Sequence, residues 1–268
     1  MNSSFPDYAK PPVIELVLGV QFDQIPGFTA GHAGWFWKDH LGVEWKPSDA
    51  PLLDKQLETF GKEPVPSLGF QIQQAPAGTR LMIQNETSNR LVQVQNSRFH
   101  YNWRKADDTY PHYEPVLAEF LRHFTAFRAF VKDTAKLGAI EPNQWELTYI
   151  DAMPSGDLWK TPADWPTIFP GLFTPEQELQ ALSTELMSAE RVYEITPRRG
   201  RLHISANMAF VGGRAQPVLL VTTTARGPIE QDSDDALKAA LDLGHDASVE
   251  AFTKMTSAAA KRHWGQLP

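Results

Sequence analysis

The sequence predicts an α+β protein of two similar subdomains, each an antiparallel sheet with a short helix and a long helix packed across it. Three observations carry this. Residues 90–104 alternate like a β-hairpin, and residues 111–136 directly after them carry an apolar stripe at helical spacing. A second strands-then-helix passage, 201–264, closes the chain. Each passage follows a lone strand and a short helix, so the same order of elements occurs twice, divided as 1–138 and 139–268. No residue-for-residue identity links the halves; the repetition is one of pattern.

Taken in order, residues 1–12 read as an arm ending in Pro11 and Pro12, which fix an extended approach. Residues 13–22 form a strand, with Ile14, Leu16, Leu18, Val20 and Phe22 in one phase, and Pro26 and Gly27 stop it. A short helix is expected over 29–41, carrying Trp35 and Trp37 in different directions, one to the core and one to an interface. Residues 42–66, rich in proline and charge, read as an excursion over the surface with an extended piece against the sheet. Strands follow at 68–74, 80–85, 91–95 and 99–104, with turn chemistry at 75–78 and 96–98. On the last of them Phe99, Tyr101 and Trp103 face one way, His100, Asn102 and Arg104 the other.

Val116, Leu117, Phe120, Leu121, Phe124, Phe127 and Val131 make the stripe of the first long helix, which Gly138 ends. The second half opens with a strand at 143–151, where Trp145, Leu147 and Tyr149 alternate with Glu146 and Thr148. Thr161, Pro162 and Asp164 cap a short helix to 169. Residues 176–195 fit helix or strand, and the parallel with the first half favours strand. Strands at 201–211 and 218–226 turn at Gly212 and Gly213. The closing helix is capped by Asp232 or Ser233, with Leu237, Leu241, Val249 and Phe252 on its stripe and Gly244 as a packing or break point; Ser257 caps a last piece.

Composition narrows the classes. The 268 residues carry a formal net charge of -7, which disfavours a sequence-independent grip on nucleic acid. No cysteine is present, so disulfides, zinc–thiolate sites and thiol nucleophiles are excluded. The opening residues show no signal-peptide pattern and no apolar run is of membrane-spanning length, so a cytoplasmic protein is expected.

Several stretches carry a family resemblance: Pro11 to Glu15, Val20 to Phe22, Val94 and Gln95, Arg98 and Phe99, Tyr101 to Lys105, and Tyr110 to Glu114. Further on come Glu146 to Ile150, Gly200 to His203, Leu241 to His245 and His263 to Gly265. Together they resemble a sporadically distributed bacterial family of uncharacterised proteins of about this length. The resemblance implies an accessory gene of the mobile-element or defence kind and brings no catalytic residues with it. The predicted arrangement also resembles the TATA-binding-protein-like duplicated folds, a likeness that does not transfer function.

No acid–base, metal or nucleophile frame stands out. His32 and His40, with Asp39, are spaced eight apart and share no helical face as a zinc pair would. The basic stretch Arg198, Arg199 and Arg201 reads as a solvated hairpin tip. The densest polar–aromatic cluster is Tyr110 to Glu114 with Asn102, Trp103 and Arg104, where Arg104 would clamp an anion and the rings would stack a ligand; Tyr101, Trp103, Arg104, His112 and Glu114 are the candidate ligand-binding residues. Its structural alternative, rings packed under the helix and Arg104 paired with a carboxylate, is the weightier. The expectation is a non-catalytic binding or protein-interaction module without cofactor or metal, with a protein partner or self-association. The alternative is a small-ligand-binding or hydrolytic enzyme centred on Arg104, His112 and Glu114.

Overall fold

The computed structural model describes residues 6–61, 79–106, 109–175, 182–210 and 216–267. Among them lie nine strands: β1 (Val13–Phe22), β2 (Lys46–Pro51), β3 (Thr79–Gln84), β4 (Arg90–Gln95), β5 (Arg98–Arg104), β6 (Pro142–Pro154), β7 (Ser188–Ile195), β8 (Gly200–Ala209) and β9 (Val218–Pro228). They form one antiparallel sheet in the order β2-β3-β4-β5-β1-β6-β9-β8-β7, so the fold is α+β. The centre is the pair β1 and β6. Leu18 lies opposite Tyr101 of β5 on one side and Leu147 of β6 on the other. The sheet therefore runs without a break from strands before residue 138 into strands after it.

The period of two decides what each face carries. Leu16, Leu18, Val20, Phe99, Tyr101, Trp103, Trp145, Leu147 and Tyr149 fall in one phase and are buried. Over them pack α1 (Ala30–Phe36), α2 (Tyr113–Ala129) and α4 (Asp234–Met255). Phe99 is the meeting point, stacked on Phe127 of α2 at 5.1 Å and edge-on to Phe36 of α1 at 6.3 Å. Gly244 lets α4 settle onto Trp145, since a Cβ there would stand 2.5 Å from Cζ3 of the indole. The short α3 (Trp165–Ile168) and α5 (Ala258–His263) close one end. There Phe169 and Phe252 pack on Trp264, at 6.4 and 5.6 Å, and Trp159 sits edge-on to Trp165 at 5.6 Å. Among the described residues no helix is long and apolar enough to cross a membrane.

The other phase is polar. It presents Gln21, Gln93, Gln95, Arg98, His100, Asn102, Gln144, Glu146, Arg201 and Arg226, most of them buried. Gln21, Gln95, Arg98, Gln144, Arg201 and Arg226 are covered by the excursion after β2. Residues 52–61 cross this face as an extended strap, held by side-chain amides of the sheet. Leu53 N–H donates to Gln95 Oε1 (3.0 Å) and Gln56 N–H to Gln21 Oε1 (3.1 Å). Glu58 N–H donates to Gln144 Oε1 (2.7 Å), and Arg98 donates to the Asp54 carbonyl (2.7 Å). At the far end Glu58 meets Arg201 (2.7 Å), His203 (2.7 Å) and Arg226 (2.5 Å). On the same face His100 lies over Gly19, where a Cβ would stand 2.2 Å from the ring.

Several sequence expectations change. The first long helix starts at Tyr113, because His112 adopts φ 63 and ψ 174, and its end, Phe130–Thr134, is a π-turn. The ambiguous stretch is a strand over Ser188–Ile195. Arg201 is not at a solvated tip: it is buried against Glu58 and lies over the Phe60 ring at 4.8 Å. Trp35 is half exposed, while Trp37 donates its indole N–H to the Trp45 carbonyl at 2.8 Å. Ser233 and Ser257 cap their helices as expected. The expected strand at 68–74 and the turns at 75–78 and 212–213 lie outside the described residues.

Candidate functional site

The five residues grouped from the sequence do not form one cluster. Tyr101 and Trp103 are buried in the helix-covered core, Tyr101 donating to Glu119 Oε2 at 2.5 Å. Arg104 falls in the opposite phase of β5, as strand alternation requires, and pairs with Glu15 at 2.8 Å. It borders a broad cleft of about 1160 Å³ on that side. His112 and Glu114 stay together, at the start of α2, and both line a different cavity of about 360 Å³.

That cavity has four sides. Its floor is the helix-covered face of β6 and β9, with Tyr149, Asp151 and Thr223. One wall is the approach to α2, with Tyr110, His112 and Tyr113; the other is α4, with His245, Ser248 and Phe252. The arm of residues 6–12 forms the fourth side. It is tied to the end of α5 by Ala9 N–H to the Gly265 carbonyl and Lys10 N–H to the Trp264 carbonyl, both 3.0 Å. Tyr8 sets its ring edge-on to Trp264 at 6.0 Å. Beside the floor, the pairing of β1 with β6 shifts register between Val13 and Glu15, a bulge next to Asp151.

The chemistry of the cavity is set by burial. Asp151 shares the inward phase of Trp145, Leu147 and Tyr149 and is 6% exposed. Its carboxyl makes no hydrogen bond or ion pair among the described residues, and burial pushes it up to about 7. Tyr149 Oη and His245 Nδ1 share a hydrogen bond of 2.8 Å. Burial draws His245 down to about 4, against the opposing pull of Asp242, so the ring is neutral at neutral pH. Burial raises Tyr110 to about 12, partly offset by a hydrogen bond from Tyr149, and raises Tyr149 and Tyr113 further. The phenols are therefore neutral hydrogen-bonding groups, and Asp151 is the group poised to change charge.

His112 adds a second mark. Its φ and ψ lie in a region almost reserved for glycine, which costs about 1–3 kcal/mol for any other residue. The strained residue faces the cavity with Tyr110, ring centroids 5.3 Å apart.

Comparison with known proteins finds no matching family model, curated protein or solved structure. The site is thus read on its geometry alone. Sequence reasoning placed Tyr110 in its polar–aromatic cluster but missed Tyr8, Tyr149, Asp151 and His245. One signal was available: in the strand from Trp145 the apolar phase continues onto Asp151, a carboxylate where a core residue is due.

Proposed function

We propose that this chain is a non-catalytic binding protein whose cavity between α2, α4 and the sheet takes a small organic molecule. The observation that carries the reading is Asp151, a buried carboxyl without a protein partner among the described residues, on the floor of a cavity of about 360 Å³. Ligand sites are characteristically concave, mostly apolar and furnished with a few convergent polar groups of perturbed pKa. The repeated order of elements before and after residue 138 supports a duplicated, TATA-binding-protein-like arrangement, with the cavity beside the β1–β6 junction.

A fragment screen by ligand-observed NMR on the full chain tests the reading. Fragments are expected to bind, and Val249→Trp on the α4 wall is expected to abolish the signal. Binding that survives this plug, or no binding at all, would overturn it. A second reading, a hydrolytic enzyme, rests on the nearness of Asp151's pKa to neutrality, which suits a general acid. Turnover of an ester panel, lost in Asp151→Asn, would favour it instead.

A further inference from the structure

We infer that the ligand of this cavity is an organic cation, an alkylammonium group held against Asp151 and the surrounding aromatic rings. This rests on the binding-protein reading above and adds the chemical class. Three features of the cavity point the same way. Its described lining includes three carboxylates, Asp7, Glu114 and Asp151, and neither lysine nor arginine. A carboxylate or phosphate ligand would meet only like charge there. Five aromatic rings also line it: Tyr8, Tyr110, Tyr113, Tyr149 and Phe252. Ring faces attract cations, most strongly where water is excluded, and aromatic cages are a recurring means of holding ammonium groups.

The third feature is the unmatched acid itself. Asp151 is buried without a cation or hydrogen-bond donor among the described residues. A buried carboxylate ordinarily requires such a partner. Other carboxylates among the described residues have theirs from the protein itself: Glu58 has Arg201, His203 and Arg226, and the buried Glu146 has Arg226 at 4.0 Å. At Asp151 the partner is left to the ligand. A bound ammonium supplies the missing charge, and the neutral phenols supply oxygen acceptors and ring faces around it.

Isothermal titration of the full chain with choline, with its neutral carbon isostere dimethylbutanol, and with dimethylbutyrate tests the class. Choline is expected to bind at least about tenfold more tightly than dimethylbutanol, and dimethylbutyrate to be weakest. Asp151→Asn, close in shape, is expected to remove the preference for choline over dimethylbutanol. Tyr110→Leu, which keeps the carboxyl, is expected to weaken choline more than the alcohol; circular dichroism checks that both variants fold. Equal binding of choline and dimethylbutanol, or tighter binding of the acid, would overturn the cation while leaving the cavity a ligand site. Failure of all three probes together with an empty fragment screen would remove the binding reading itself. Fragment hits without choline binding would remove only the class.

Discussion

His245 lies flat against Tyr113, ring centroids 4.1 Å apart and planes within 2°. The contact joins the two helical walls of the cavity, and Tyr113 Oη secures it further by donating to Asp242 at 3.0 Å. Tyr113→Phe is expected to lose about 1 kcal/mol, the worth of one hydrogen bond, and Tyr113→Leu more, because the stacking goes as well. Urea unfolding of both variants checks the order. Equal losses would show that the stacking contributes nothing.

Asp151 should make stability fall as pH rises. Its folded value of about 7 lies above the ordinary 3.8, so the folded chain holds the proton more tightly. The stability linked to it is fully present below 3.8 and is lost as pH rises through about 7. Asp151→Asn is expected to be stabilised relative to the parent by up to about 4 kcal/mol above that range, with the difference shrinking toward acid. Thermal unfolding of both proteins between acid and mildly alkaline pH measures it.

Relief of strain is expected at His112→Gly. Glycine adopts the observed backbone freely, recovering about 1–3 kcal/mol, against about 0.5–1 kcal/mol of added freedom in the unfolded chain. A rise in the melting midpoint is therefore expected. A fall would show that the ring's contact with Tyr110 outweighs the strain.

Glu58→Gln should be among the most damaging single changes on the polar face. Although burial pushes the Glu58 carboxyl up, hydrogen bonds from His203, Arg226 and Arg201 hold it at about 2, below its ordinary 4.5. Its stabilisation is present above 4.5 and lost as pH falls through about 2. The shift corresponds to about 3 kcal/mol. Chemical denaturation at neutral pH is expected to show a loss of that order, shrinking in acid.

At Gly244 the usual sign of a helix substitution should invert. Glycine to alanine in a helix normally gains about 1 kcal/mol. Here the new methyl would press on Trp145 at 2.5 Å, and overpacking typically costs about 1–3 kcal/mol. Gly244→Ala is expected to be less stable than the parent, which calorimetry would show.

Much of the local structure was legible because it rests on period. Alternation at Phe99, Tyr101 and Trp103 reads as a strand, and the stripe from Val116 to Val131 as a helix. The same alternation already set Arg104 apart from Tyr101 and Trp103; grouping them by nearness in sequence misplaced it. The joining of β1 to β6 was not legible, because pairing between distant strands leaves no local trace. The strap was legible as an extended piece against the sheet, but its anchors were not, because it has no regular period and is held by Gln21, Gln95 and Gln144 from three separate strands. The cavity draws on residues from Pro6 to Thr253; His112 and Glu114 had been picked out from the sequence, and the phase of Asp151 was a further pointer to it.

The strap also constrains the order in which the molecule can be completed. Glu58 finds its partners 143 to 168 residues later in the chain, on β8 and β9. During synthesis from the N-terminus, the polar face of β4, β5 and β1 therefore emerges well before the far anchor of its cover exists. Closing so long a loop is entropically costly, so fastening of the strap's far end belongs late in folding. Until then, the Glu58 carboxylate stands without Arg201, His203 and Arg226, while the near end of the strap already has Gln21, Gln95 and Arg98 to hold it.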